Sequence, residues 1–134
     1  QIFEKKQQLT LDAIMEAELF DMEKVKMMHW LKEKYISIGV VTNSIRLTAE
    51  EVLRKAGLMQ YLDVLVTSTD VGQKKPCSEG FIMAMISLGS MPSECIIVED
   101  SIHGLIAARN TGATVIQVDS YKNVNRTLLE EFIL

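Results

Sequence analysis

The sequence has few of the residues and patterns that mark secreted or membrane proteins. Only two of its 134 residues are cysteines, Cys77 and Cys95, which match no metal-ligand spacing and are too few for a disulfide framework. Reduced thiols of this kind are typical of cytoplasmic proteins. No apolar run approaches the roughly 20 residues that cross a bilayer, and residues 1–8 are largely polar where a signal peptide has an apolar segment. These absences predict a cytoplasmic protein without a membrane contact.

Basic residues are also in the minority. The chain has 14 lysines and arginines against 18 aspartates and glutamates, a formal net charge of -4, whereas nucleic-acid binding favours a basic face. With 48% hydrophobic residues, the composition excludes a disordered chain. A chain of this length forms one domain with a core of its own. We therefore expect one folded domain that binds no nucleic acid.

What the sequence does contain is an alternation of short apolar runs with segments of helical period. Four runs rich in β-branched residues predict strands, at residues 36–41, 64–67, 95–98 and 115–118. Helical spacing of apolar residues predicts helices near residues 9–20, 25–34, 48–56, 79–88, 102–110 and 128–134. Strands that are apolar on both faces suit a parallel sheet covered by helices on both sides. The pattern predicts an α/β fold with an open parallel sheet and right-handed crossovers.

Polar residues follow three of the predicted strands. Thr42-Asn43-Ser44 comes after the first strand, Lys74-Lys75-Pro76 follows the second after a short loop, and Glu99-Asp100-Ser101 comes after the third. Ligands bind beyond the carboxyl ends of the strands in open parallel sheets. We therefore expect a hydroxyl, an ammonium and a carboxylate pair to meet at one edge of the sheet.

These groups are suited to holding a phosphate. The Thr42 hydroxyl and the backbone N–H groups that follow it can bind phosphate oxygens. A lysine ammonium offsets the charge of a phosphoryl dianion, and adjacent carboxylates are ligands for Mg²⁺. Each segment also has a simpler interpretation. Thr42-Asn43-Ser44 could cap the next helix, Lys74-Lys75 could form a solvated turn, and Glu99-Asp100 could be a charge pair at a helix amino end.

Three segments together resemble a known family. They are Val40-Val41-Thr42-Asn43-Ser44, then Lys75-Pro76 followed by Glu79-Gly80-Phe81, and then Val98-Glu99-Asp100-Ser101 with Gly104 and Ala107-Ala108. In order and spacing they are similar to the second, third and fourth motifs of the haloacid dehalogenase superfamily. The resemblance is to its β-phosphoglucomutase-like branch of phosphatases and phosphomutases, and it runs from about Asp21 to the carboxyl end.

The resemblance implies a Rossmann-like three-layer core, Mg²⁺ as cofactor and a small phosphorylated metabolite, a phosphate monoester, as substrate. It implies that Thr42, Asn43 and Lys75 bind phosphate, with Thr42 and Lys75 as the catalytic pair among the residues present. Asp100 would hold the metal with Glu99 as a ligand or its neighbour. His103, three residues after Asp100, is a further candidate for substrate contact.

The family's first motif has no convincing counterpart. That motif is a strand ending in Asp-x-Asp, whose first aspartate is the nucleophile. The best candidate is Asp21, but the residues before it have helical rather than strand periodicity. We therefore expect residues 1–22 to be a remnant of the family's helical cap domain and residues 23–134 to be the core without its nucleophile strand. Two interpretations stay open: an incomplete phosphohydrolase that is inactive alone, and a non-catalytic phosphate-binding or interaction module.

A core without that strand would leave a gap in the middle of the sheet. We expect the strands that end at Val41 and Val98 to close on each other, or a second chain to fill the gap through the exposed edges in a homodimer. Two other folds fit the sequence less well. In a receiver domain the acidic pair precedes the threonine, and a dinucleotide-binding domain requires a G-x-G-x-x-G sequence that is lacking here.

Overall fold

The computed structural model describes residues 6–9 and 20–133, and its centre is a parallel sheet. The five strands lie in the order β3-β2-β1-β4-β5, and all neighbours are parallel. Their bounds are β1 Lys6–Leu9, β2 Ile38–Val41, β3 Val64–Val66, β4 Cys95–Glu99 and β5 Thr114–Gln117. This arrangement confirms the predicted α/β class and the Rossmann-like parallel sheet.

Helices cover both faces of the sheet. Their bounds are α1 Met22–Glu33, α2 Arg46–Lys55, α3 Glu79–Leu88, α4 Ile102–Arg109 and α5 Arg126–Glu130, with short 3₁₀ turns at Met59–Tyr61, Pro92–Glu94 and Tyr121–Asn123. Helices α1, α2 and α5 contribute to one hydrophobic cluster, and α3 and α4 contribute to a second one. The molecule therefore has three layers, with a core on each side of the sheet.

The composition of β4 explains why two cores form. All five of its residues are buried. Because side chains alternate along a strand, Ile96 and Val98 enter the cluster with α1, while Cys95 and Ile97 enter the cluster with α3. Strand β2 is buried over its whole length as well. The uninterrupted apolar runs in the sequence therefore correspond to strands with helices on both faces.

The middle of the sheet differs from the expectation. Strand β1 lies between β2 and β4, with Gln8 opposite Gly39 on one side and Ile97 on the other. The prediction that β2 and β4 pair directly is therefore wrong, whereas a homodimer stays a prediction. The physical reason is that both edges carry backbone groups that need partners, and the amino-terminal segment of the same chain supplies them.

The segment 1–22 is only partly covered by the described residues. Residues 6–9 are a strand of the sheet, which differs from the expected cap remnant, and most of the predicted helix at 9–20 lies outside the described residues. Asp21 is the N-cap of α1 and accepts a hydrogen bond from the Glu23 N–H at 2.9 Å. Asp21 therefore lies at the beginning of a helix and not at the end of a strand, which agrees with the helical pattern of the sequence around it.

Within the described part of the chain, no helix is long and apolar enough to cross a membrane.

Candidate functional site

A buried ion pair lies at the carboxyl ends of the strands. The Lys75 ammonium donates to Glu99 Oε2 at 2.8 Å, and the two side chains are only 2% and 0% exposed. The ring of Phe81 faces the same ammonium, with its centroid 5.2 Å from Nζ. Lys75 comes from the loop before α3 and Glu99 from the last position of β4. Two of the segments singled out in the sequence therefore meet directly.

Asn43 joins the third segment to this pair. Its Oδ1 accepts from the Lys75 N–H at 3.1 Å, and its Nδ2 donates to the Lys75 carbonyl at 3.4 Å. The side-chain amide therefore holds the backbone of Lys75, a task that differs from the predicted direct contact with phosphate. Thr42 is buried at the end of β2, and its Oγ1 accepts from the Ser44 N–H at 3.1 Å. Contacts thus run without a break from the β2 end to Lys75 and Glu99.

The simpler interpretations of these segments do not describe the structure. Helix α2 has Ile45 as its N-cap, with no side-chain cap bond, so Thr42-Asn43-Ser44 does not cap it. Lys75 is buried rather than part of a solvated turn. The N-cap of α4 is Ser101, which accepts from the Gly104 N–H at 3.0 Å. Glu99 is therefore not a helix-end charge but the partner of Lys75.

The loop that carries Lys75 is fastened to α3 by Glu79. Its two carboxylate oxygens accept from the Gly72 N–H at 2.9 Å and from the Gln73 N–H at 2.8 Å. The hydrogen bonds from Gly72 and then Gln73 lower the pKa of Glu79, with a small opposing effect of burial. Glu79 belongs to one of the motifs that resemble the family, but the resemblance assigns it no task. An acidic residue in the first turn of a helix is an ordinary feature, so no sequence signal distinguished it.

Two further contacts near the pair were not predicted. The Ser101 hydroxyl donates to Glu99 Oε1 at 3.4 Å. Ser78 is the N-cap residue of α3 but makes no side-chain cap bond; its hydroxyl donates to the Ala107 carbonyl at 2.7 Å and joins α3 to α4. His103, the other candidate for substrate contact, is exposed at the start of α4. These contacts show that both helices of one layer are anchored around the pair.

The donor set at this edge fits a hard cation only in part. Mg²⁺ in proteins is usually bound by one or two carboxylates, with phosphate oxygens and water completing the shell. Asp100 follows Glu99 at the end of β4, whereas the Glu99 carboxylate is committed to Lys75 and Ser101. Among the described residues no group of three or more histidines, cysteines, aspartates or glutamates could hold a metal ion. Asp100 is therefore the principal metal-ligand candidate on this edge.

Comparison with known proteins agrees with the motif order and the fold. A family model described as haloacid dehalogenase-like hydrolase matches residues 7–118. The chain belongs to the haloacid dehalogenase-like hydrolases. The resemblance read from the three motifs is thereby confirmed, and the Rossmann-like three-layer sheet is the core of this family.

The relatives extend beyond the matched segment. Validoxylamine A 7'-phosphate phosphatase of Streptomyces hygroscopicus subsp. limoneus is 39% identical over 88 residues, which are 66% of this chain and 41% of that protein. The chain thus matches about two fifths of that relative's length. The crystal structure of CbbY from Rhodobacter sphaeroides in complex with phosphate has a TM-score of 0.66 and 26% identity, and the match covers 74% of this chain and 45% of CbbY.

A structure of a β-phosphoglucomutase from Clostridium difficile gives a TM-score of 0.69 at 22% identity, over 81% of this chain and 54% of that one. At this identity the likeness concerns the fold alone.

Proposed function

We propose that the chain carries the phosphate- and Mg²⁺-binding part of a phosphohydrolase of this family, acting on a small phosphate monoester. The observation that carries the proposal is the buried Lys75–Glu99 pair at 2.8 Å, placed at the carboxyl ends of the strands. Burying two charges is costly unless each is paired, and a lysine fixed by its backbone and its side chain supplies a positioned positive charge. Two relatives point the same way, since one is named as a phosphatase and the other binds phosphate.

Each residue has a separate task in this proposal. Thr42 and the backbone N–H of Asn43 bind phosphate oxygens at the β2 end, because hydrogen bonds to a charged oxygen are strong. Lys75 offsets the charge of the phosphoryl group, while Glu99 fixes the ammonium. Asp100 holds Mg²⁺, with Glu99 as its neighbour; when bound, the ion offsets charge on the phosphate oxygens.

Among the described residues, none is a candidate for the nucleophile that attacks the phosphate ester. Asp21 serves as the N-cap of α1, and the other acidic residues discussed at the sheet edge are Glu99 and Asp100. We therefore propose that this chain alone binds phosphate without hydrolysing the ester. A non-catalytic phosphate-binding module is the second candidate function. Such a module would also bind phosphate without hydrolysing the ester.

The test is a pair of measurements on the 134-residue chain. Titration with inorganic phosphate, with and without Mg²⁺, is expected to show binding that requires the metal. Asp100→Ala is expected to remove the metal dependence, and Thr42→Ala to weaken phosphate binding by about tenfold, the equivalent of one charge-assisted hydrogen bond. Wild-type chain that binds no phosphate in either condition would contradict the proposal.

The second measurement is hydrolysis of p-nitrophenyl phosphate with Mg²⁺, for which we expect no turnover above the Asp100→Ala background. The series includes Asp21→Asn and also Asp12→Asn, because Asp12 is the first carboxylate after β1 in the sequence. Turnover that Asp21→Asn abolishes would show that the interpretation of the front end is wrong. Turnover that is retained in both variants would place the nucleophile at neither Asp21 nor Asp12.

A further inference from the structure

Gly104 lies against the carboxylate of Glu99. A β-carbon built at Gly104 would be 1.9 Å from Glu99 Oε1, 2.3 Å from Cδ and 2.7 Å from Oε2. All three distances are below 3.0 Å, and real β-carbons essentially never make contacts that short. The whole carboxylate therefore occupies the place where any other residue would have its side chain. Gly104 is in the first half of α4, a position where glycine is less favourable than alanine. The helix itself gives no reason for a glycine here.

The carboxylate cannot move aside at low cost. Glu99 is fully buried, its Oε2 accepts from Lys75 and its Oε1 accepts from Ser101. A shift large enough to clear a β-carbon would separate Oε2 from the ammonium and leave a buried lysine without its partner, which is strongly unfavourable. Ser101 is itself fixed by the Gly104 N–H. The close approach of α4 to the end of β4 and the ion pair are thus one packing arrangement.

We propose that Gly104 is a positioning residue, whose missing side chain leaves the space that holds the Glu99 carboxylate against the Lys75 ammonium. Its importance for phosphate binding rests on the proposed function, while its effect on packing does not. Gly104 touches no substrate in this proposal. It acts through Glu99, and Glu99 acts through Lys75.

The test compares the effect of Gly104→Ala in three backgrounds by thermal unfolding. In the wild-type chain Gly104→Ala is expected to lower Tm by about 5 °C or more, as overpacking does. In the background Lys75→Met/Glu99→Ala, where both charges are removed together, the same substitution is expected to leave Tm unchanged or raise it, because alanine favours the helix. The proposal would be overturned if Gly104→Ala lowered Tm equally in the wild-type chain and in the double variant, or if it did not lower Tm in the wild-type chain.

A third background covers the case in which the double variant does not fold. Glu99→Asp withdraws the carboxylate by one methylene, so Gly104→Ala is expected to lower Tm less there than in the wild-type chain. An equal decrease would overturn the proposal. The matched control is Gly72→Ala, since a β-carbon at Gly72 would also face a carboxylate, that of Glu79, but at an ordinary 3.5 Å. We expect this control to keep the wild-type Tm.

Phosphate titration with Mg²⁺ separates this proposal from the proposed function. Gly104→Ala is expected to weaken binding by at least tenfold at a temperature where it is still folded, while Gly72→Ala binds like the wild-type chain. A folded Gly104→Ala chain that binds phosphate with wild-type affinity would contradict the positioning role. A wild-type chain that binds no phosphate would contradict the proposed function, and the Tm comparisons would still decide the role of Gly104.

Discussion

Lys75 is the residue whose surroundings constrain the site most strongly. Its ammonium is out of water, with the Glu99 carboxylate on one side and the Phe81 ring on another. A buried pair of this kind contributes little net stability, since desolvation offsets the attraction, but removing one partner costs about 3–5 kcal/mol. The pair is therefore better explained as a means of fixing a positive charge at the strand ends than as a source of stability.

At the residue scale, Glu79 allows a prediction about pH. Hydrogen bonds from Gly72 and Gln73 lower its pKa in the folded state, so the folded state releases this proton more readily than the unfolded one. The resulting stability is fully present above the unfolded-state pKa, about 4.3, and is lost as the pH falls through the lower folded-state pKa. Glu79→Gln is therefore expected to be less stable than the wild-type chain near neutral pH.

Urea unfolding at a series of pH values checks this prediction. The difference between the wild-type chain and Glu79→Gln is expected to shrink as the acid range is entered. Glu51→Gln is the control, because Glu51 is exposed on α2 and pairs at 3.2 Å with Lys55, an exposed residue of the same helix. A difference that stays constant from neutral to acid pH would show that the Glu79 carboxylate does not fasten the loop.

At the scale of elements, a buried lysine joins α1 to the carboxyl-terminal segment. Lys24 donates to the Val124 carbonyl, and its Nζ lies 4.4 Å from the centroid of the Tyr121 ring. Burial lowers the pKa of Lys24, and the charge of Asp21 opposes this effect. Burial also raises the pKa of Tyr121. One ammonium thus holds together elements that are a hundred residues apart.

The lowered pKa of Lys24 fixes the sign of a second pH effect. The folded state gives up this proton at a lower pH than the unfolded state, so stability rises as the pH passes the folded-state pKa and approaches the unfolded value of about 10.4. Lys24→Met is expected to lack this contribution while changing the free energy of unfolding at pH 7 by no more than about 1 kcal/mol, the value of one hydrogen bond.

The pH dependence of the free energy of unfolding, measured between about pH 7 and pH 9.5, checks this prediction. The upper limit keeps the measurement below the pH at which tyrosines of the unfolded chain titrate. Lys26→Met is the control, since Lys26 is exposed on the same helix. Parallel pH profiles for the wild-type chain and Lys24→Met would argue against a buried Lys24 ammonium. A large loss of stability in Lys24→Met at pH 7 would mean that the contact to Val124 contributes more than we infer.

At the scale of the whole molecule, the central strand decides whether the sheet is one unit. Strand β1 pairs with β2 and with β4, so it joins two halves that would otherwise each expose an edge. Gln8→Pro removes a backbone N–H from this ladder and is expected to destabilise the chain by about 1–3 kcal/mol. Gln8→Ala keeps the N–H and serves as the matched control in urea unfolding.

A sheet formed in another way would give a different result. If β2 and β4 paired directly, Gln8→Pro would unfold at the same urea concentration as Gln8→Ala. Such an outcome would contradict the central position of residues 6–9. Measuring the pair at two protein concentrations adds a check, because stability that depends on a second chain increases with concentration.

The predictable part of this protein is what local sequence and chain order specify. Apolar runs such as 95–98 predict buried strands, and the residues after them predict the site edge, because parallel strands end together. This reasoning singled out Thr42, Lys75 and Glu99, and the structure brings Lys75 and Glu99 together; their roles in binding stay predictions. The contact of the Asn43 side chain with the Lys75 backbone was not predicted, since an amide can bind a ligand or a backbone equally well.

Contacts between segments that are distant along the chain could not be predicted from the sequence. The sequence of Lys6–Leu9 has no strand pattern, yet the segment pairs with both β2 and β4. Gly104 belongs to a motif in the sequence, but the close approach of the Glu99 carboxylate to it is visible only in the folded chain. The local sequence determines the periodicity and the chemistry of one segment. Strand pairing and close packing depend on which segments meet, and only the folded chain determines that.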